Sequence, residues 1–277
     1  MRIDAHQHFW IYKPREYDWI DDSMQPLRRD FVPDDLRPEL ERAGFAGSIA
    51  VQACHSLEET RWLLRLANGS PVVSGVIGWV DLCSEGLGDQ LREFSNHPKF
   101  LGVRHVAQSE PDDRFLVRPE FLRGLRALEE FNLTYDILIY PRHLKVAREF
   151  VERFPGQRFV VDHMAKPAIK SGALEPWATD FRRLGEFRNV FAKVSGLVTE
   201  ADWGRWKPDD LKPYLDVAFE AFGPERLMIG SDWPVCTVAA SYSEVMGTAA
   251  EFIDKFAGQA SPAVLGGTAA RFWGLKV

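Results

Sequence analysis

Residues 134–164 read TYDILIYPRHLKVAREFVERFPGQRFVVDHM. Two apolar runs of strand length, TYDILIY (134–140) and RFVVDHM (158–164), flank an amphipathic segment, PRHLKVAREFVERF (141–154). In that segment Leu144, Ala147, Val151 and Phe154 recur at three- and four-residue intervals, the spacing of one helix face, and Pro141 stands where a first turn tolerates proline. Strand, crossover helix and strand make a βαβ unit, which pairs its strands in parallel.

The same alternation runs outward in both directions. Further strands are expected at 1–9 (MRIDAHQHF), 47–53 (GSIAVQA), 72–80 (VVSGVIGWV), 100–106 (FLGVRHV), 190–197 (VFAKVSGL) and 226–231 (RLMIGS). Helices are expected at 34–44, 56–69, 85–97, 118–132, 176–187, 208–222 and 241–258, with Ser56 and Glu59 forming a capping box and Pro119 and Pro208 in first turns. Eight strands and eight helices predict one (β/α)8 TIM barrel, a single domain over 1–277, with 261–275 as an extra helix closing the chain. A doubly wound open sheet is the alternative, but no glycine-rich dinucleotide fingerprint follows the first strand.

Composition narrows the partners. The chain of 277 residues is 45% hydrophobic and 27% charged, with 34 basic against 40 acidic residues, so nothing in it neutralises a nucleic-acid backbone or an anionic membrane. The N-terminus shows no charged leader region, and no apolar run approaches the roughly 20 residues that span a bilayer. A cytoplasmic enzyme is expected. Cys54, Cys83 and Cys236 are scattered, which argues against a disulfide framework or structural zinc site.

The long loops, 10–33, 107–118, 164–176 and 197–207, all follow strands, so a barrel gathers them at one mouth, where barrel enzymes keep their chemistry. Six of the 7 histidines fall at or just beyond strand ends, His97 being the exception. His6 and His8, two residues apart, project to one side of the first strand. The other ends offer Gln52 and His55, Trp79 and Asp81, Arg104 and His105, Tyr140 and Arg142, Asp162 and His163, Lys193 and Ser195, and Ser231 and Asp232. Lys193 lies inside an apolar strand and therefore calls for a buried partner.

IDAHQHFW, GVRH, DHMAKP, AKVSGL, GSDWPV and AARFWGL, in that order, resemble the amidohydrolase superfamily, in its branch of sugar-lactone hydrolases. The resemblance implies a distorted (β/α)8 barrel. Thr268 stands where the last motif would carry asparagine. Binuclear members resemble one another in a bridging lysine or carboxylate on the fourth strand and a histidine on the fifth; here Arg104, His105 and Tyr140 stand there, so two metals are not expected. One zinc held by His6, His8 and Asp232, with His163 or water completing the shell, is expected but not required for activity.

Opening a lactone needs an activated water, a stabilised oxyanion and a proton for the departing alkoxide. Asp232 is the expected general base; His6, His8, His163 and Arg104 would polarise the carbonyl, and Tyr140 or a histidine would return the proton. GxSxG is absent, which disfavours a serine nucleophile. Gln52, Trp79, His105, Lys166, Arg142 and Trp233 are the expected substrate contacts, with Trp10, Tyr17, Trp19, Trp203 and Trp206 as further aromatic faces. Arg104 and Arg142 are the clear arginines at the mouth, too few for a dicarboxylated lactone, so the resemblance points to a neutral sugar-acid lactone of the fuconate, rhamnonate or galactonate type. A dicarboxylate lactonase, a metal-dependent decarboxylase of the same superfamily and a noncatalytic sugar-binding barrel are the alternatives.

Overall fold

In the computed structural model, which describes residues 1–275, the strands follow one another around a single sheet. They are β1 (Ile3–Gln7), β2 (Gly47–Val51), β3 (Val73–Gly78), β4 (Phe100–His105), β5 (Thr134–Ile137), β6 (Phe159–Val161), β7 (Val190–Val194) and β8 (Leu227–Ile229). Each neighbouring pair is parallel. Between them lie α1 (Pro33–Ala43), α2 (Leu57–Gly69), α3 (Leu87–Ser95), α4 (Pro119–Glu130), α5 (Leu144–Glu152), α6 (Trp177–Gly185) and α7 (Pro208–Phe222). After β8 come α8 (Tyr242–Ala257) and the extra helix α9 (Thr268–Trp273). The chain thus forms the single-domain TIM barrel that its alternation predicts; the last two residues of the span 1–277 lie outside the described residues.

Closure is unusual at one place. From β8 to β1 the ladder gives way to an isolated parallel bridge between Gln7 and Trp233. There the His8 N–H donates to the Trp233 carbonyl at 2.7 Å and the Asp232 N–H to the His6 carbonyl at 2.8 Å. The seam of the barrel therefore coincides with His6, His8 and Asp232, three of the expected site residues.

Two apolar layers hold the barrel. Leu144, Ala147, Phe150 and Val151 of α5 belong to the large cluster that also takes in Tyr135, Ile137 and Phe159. A smaller cluster joins Ile3, Ala5, Ile49, Val51, Ile77, Val160 and Met228 to Ala269, Phe272 and Trp273 of α9. The final helix thus packs on strand residues, and Thr268, fully buried, donates its hydroxyl to the Pro224 carbonyl at 3.3 Å. No described helix is long and apolar enough to cross a membrane.

All eight strands are shorter than the sequence suggests. β5, β6 and β8 end at Ile137, Val161 and Ile229, because the residues that follow leave the ladder to shape the mouth. His163, Met164, Ala165 and Lys166 all have left-handed backbones (φ 51, 52, 58 and 52°), a run that L-residues disfavour. The Trp177 indole N–H donates to the Met164 carbonyl at 2.8 Å and fastens the run to α6.

Candidate active site

The two histidines of the first strand meet: His6 Nε2 and His8 Nε2 are 3.2 Å apart. The register between β1 and β2 shifts between Asp4 and Gln7, the kind of irregularity that re-aims a side chain beside a site. Asp232, itself left-handed at φ 57°, brings Oδ1 to 3.3 Å from His8 Nε2, 3.7 Å from His6 Nε2 and 3.8 Å from His163 Nε2. Gly196, after β7, makes this convergence possible. A Cβ there would stand 2.5 Å from His163 Nδ1 and 3.2 Å from Asp232 Oδ2, and its φ of 64° favours glycine.

Hydrogen bonds fix where the lone pairs point. His8 Nδ1 lies 2.8 Å from the Val51 carbonyl, which can only accept, so Nδ1 carries the proton and Nε2 presents a lone pair. His163 Nδ1 is 2.9 Å from the Ser195 hydroxyl. Burial, reinforced by Lys193 and His163 against the opposing Asp162 charge, pushes His6 well below the ordinary imidazole value; burial likewise takes His163 down to about 4. Burial raises the Asp232 carboxyl, but the neighbouring His163, His8 and His6 outweigh it and hold it below the usual carboxylate range. The result is an ionised carboxylate facing the His6 and His163 imidazoles, which burial keeps neutral.

That donor set fits one divalent cation. Ligand bonds of about 2.0–2.1 Å in a tetrahedron place neighbouring donor atoms about 3.3 Å apart, close to the separations His6, His8, Asp232 and His163 show around Oδ1. A second group, His6, Asp162 and His163, is also close enough, but Lys193 Nζ stands 2.9 Å from Asp162 Oδ1 and Arg104 Nη1 3.0 Å from Oδ2. Arg104 Nη1 also approaches His6 Nε2 at 3.3 Å and competes for the lone pair a metal would use.

Beneath the imidazoles lies a buried ionic network. Lys193 is fully buried and donates to Asp136 Oδ2 and Asp162 Oδ1, and its ammonium lies 3.1 Å from His6 Nδ1. Its sequence position demanded a partner; it has two carboxylates. Burial raises Asp136 to about 7 although Lys193 opposes this, whereas Asp162, despite burial, is held well below the carboxylate range by Lys193, His6 and Arg104. Gln52 lies under the site as well, its side-chain oxygen accepting from Arg104 Nη2 at 2.9 Å.

The cavity over this centre measures about 430 Å³ and is lined by His8, His163, Asp232, Arg104 and Lys166. Lys166 pairs with Glu200 at 3.4 Å. Sequence reasoning missed Arg15 and Asp18, which join Trp19 in the lining; all three sit on the first long loop, whose place at the mouth was the available signal. His55 also lines the cavity, accepting the Val106 N–H on Nε2 at 2.9 Å, and burial and the adjacent His105 lower it to about 4.

Other expected contacts stand back from the lining. Trp79 and His105 stack on His55, with His105 Nε2 turned to Glu110 at 2.7 Å. Tyr140 lies between the cations of Lys166, 5.5 Å from its ring, and Arg142, so Lys166 rather than the phenol reaches the cavity. Arg142 is drawn away by Asp113 at 2.9 Å. Trp233 is buried edge-on against Phe9 and Phe31, and Trp10 against Phe31: their large apolar areas are more stable in the loop core than at the mouth. Trp203 and Trp206 border a separate surface depression.

The capping box forms only in half. Ser56 Oγ accepts the Glu59 N–H at 3.2 Å, but the Glu59 carboxylate turns to the Ala53 and Cys54 amides and the Tyr17 hydroxyl, bracing the loop that lines the cavity. Burial raises this carboxyl to about 7 against the opposing amide bonds. The folded state thus holds its proton more tightly than the unfolded chain, and stability falls as pH rises from the ordinary 4.5 through 7. Between pH 5 and 8 the wild type should lose about 2–3 kcal/mol relative to Glu59→Gln, read from urea unfolding of both proteins. Parallel pH slopes would assign the effect to another group.

The sequence model of the amidohydrolase family matches residues 3–275. An L-fucono-1,5-lactonase of Burkholderia multivorans is 41% identical, the match covering 99% of this chain and 96% of that protein. An L-fucono-1,5-lactonase of Burkholderia ambifaria is 37% identical over 98% of this chain and 95% of its own. A crystal structure of an amidohydrolase from Burkholderia multivorans with bound zinc superposes with a TM-score of 0.95 at 40% identity, covering 100% of both chains.

Proposed function

Because the chain belongs to the amidohydrolase family, we propose that it hydrolyses a sugar-acid lactone, L-fucono-1,5-lactone first among candidates, by direct attack of water. The observation that carries this reading is the carboxylate of Asp232 facing three imidazoles in the lining of the cavity, in a chain so similar to two L-fucono-1,5-lactonases.

Asp232 Oδ1 faces the imidazoles, while Oδ2 accepts no hydrogen bond among the described residues and is free to take a proton from water. The water oxygen adds to the lactone carbonyl, and the negative charge that develops on the carbonyl oxygen is met by the Arg104 guanidinium at the cavity wall. Collapse breaks the ring C–O bond. The alkoxide so released takes its proton from Lys166, which lines the cavity; this role passes from Tyr140, which stands behind Lys166. His6, His8 and Asp232, with His163 beside the same carboxylate oxygen, would hold a zinc ion, which when bound supplies a Lewis acid for the carbonyl. Arg104 supplies positive charge at the same place, so activity is expected to fall on chelation without vanishing.

A panel of five- and six-membered sugar lactones and a dicarboxylated lactone, assayed by proton release before and after chelation, tests the reading. L-Fucono-1,5-lactone should turn over well above its spontaneous opening. An inert sugar panel, with carbon dioxide released from an aromatic acid, would replace the reading with a decarboxylase.

A further inference from the structure

At the seam where Asp232 meets His6 the ladder is reduced to one bridge, with the Asp232 N–H on the His6 carbonyl and the His8 N–H on the Trp233 carbonyl, so side-chain bonds there add directly to what sets their separation. Asp4 stands there, fully buried, on β1. Its Oδ1 accepts the Ser231 N–H at 2.9 Å and the His6 N–H at 3.2 Å. Its Oδ2 accepts the Ser231 hydroxyl at 2.7 Å and the Tyr242 hydroxyl of α8 at 3.2 Å. Ser231 Oγ in turn accepts the Trp233 N–H at 2.9 Å. The backbone on either side of Asp232 is therefore tied, directly or through one hydroxyl, to the carboxylate that also holds the backbone of His6.

We propose that Asp4, acting through Ser231, is a positioning residue that clamps the unladdered β1–β8 seam and so sets the separation of the Asp232 carboxylate from the His6 and His8 imidazoles. Asp232 needs such a clamp because its left-handed backbone (φ 57°) is not one that the chain adopts unaided. Neither Asp4 nor Ser231 lines the cavity. Their effect falls on the chemical step, since misplacing a reacting group by about 1 Å can cost 100-fold in rate.

The inference rests on the lactonase reading for its kinetic readout, but zinc binding tests it separately. In Ser231→Ala and Asp4→Asn, kcat should fall 10- to 100-fold while KM stays within threefold. Zinc titrated calorimetrically into the metal-stripped proteins should bind at least tenfold more weakly than to the wild type. Tyr242→Phe removes a bond to the same carboxylate from the helix side and should lower the unfolding temperature while leaving kcat and zinc affinity unchanged. Folded Ser231→Ala and Asp4→Asn proteins with wild-type kcat and zinc affinity would overturn the clamp, as would a kcat loss in all three variants that merely follows their unfolding temperatures. If the wild type opens no lactone, the functional reading fails while the zinc titrations still decide the clamp.

Discussion

Asp232→Asn is expected to lower kcat for lactone hydrolysis by about 1,000-fold or more, within the range a positioned general base contributes. The substitution leaves the shape of the side chain almost unchanged. Asparagine tolerates the left-handed backbone that position 232 requires, and the N–H that donates to the His6 carbonyl is retained, so the seam should stay closed. What disappears is the capacity to take a proton, together with the negative charge facing His6, His8 and His163. Proton release in weakly buffered solution gives kcat, and thermal unfolding of the same preparation shows whether the fold survives. Saturating zinc separates two causes of the loss. If the carboxylate served only as a ligand, excess zinc would restore the rate; if it is the base, the rate stays low. A variant within tenfold of the wild type would remove Asp232 from the role of base and transfer it to one of the imidazoles.

The barrel and the position of this aspartate were both legible in the sequence, because each rests on periodicity. Strand-length apolar runs alternate with amphipathic segments, and polar residues gather where the runs stop. The buried lysine was legible too, as a charge in an apolar run that must be neutralised. Its partners were not, since Asp136 and Asp162 come from strands remote in sequence and only the closed barrel brings them to one ammonium group. The left-handed run from His163 to Lys166 carries no glycine and so leaves no local mark. Aromatic residues misled for a different reason: Trp10 and Trp233 are apolar enough to be ligand platforms or core, and composition does not choose between them. Glu59 has capping-box spacing, yet two free amides at the end of β2 and the Tyr17 hydroxyl compete successfully for its carboxylate.

Lys193→Met is expected to destabilise the protein by about 3–5 kcal/mol, the cost of breaking a buried ion pair from one side. Methionine fills a similar volume, so cavity formation contributes little. The penalty is electrostatic: Asp136 and Asp162 remain fully buried, with Arg104 left as the cation that contacts Asp162 at 3.0 Å and Asp136 left without its lysine partner. Asp136, already raised to about 7 by burial in spite of Lys193, would be driven higher still and folded preferentially as the neutral acid. Because the unfolded chain releases that proton near 4, the variant should lose stability steadily as pH rises, and its deficit should be larger at pH 8 than at pH 5.5. Adding Asp136→Asn removes the orphaned charge, and the double variant should recover at least half of the loss with a flatter pH dependence. Urea unfolding at the two pH values measures all three proteins. A double variant no more stable than Lys193→Met would mean that the lysine supports the barrel through its packing against Trp273, 5.6 Å from its ammonium, rather than through the carboxylates. His6 would register the change as well, since Lys193, at 3.1 Å, and its partner Asp162, at 3.2 Å, both approach its Nδ1.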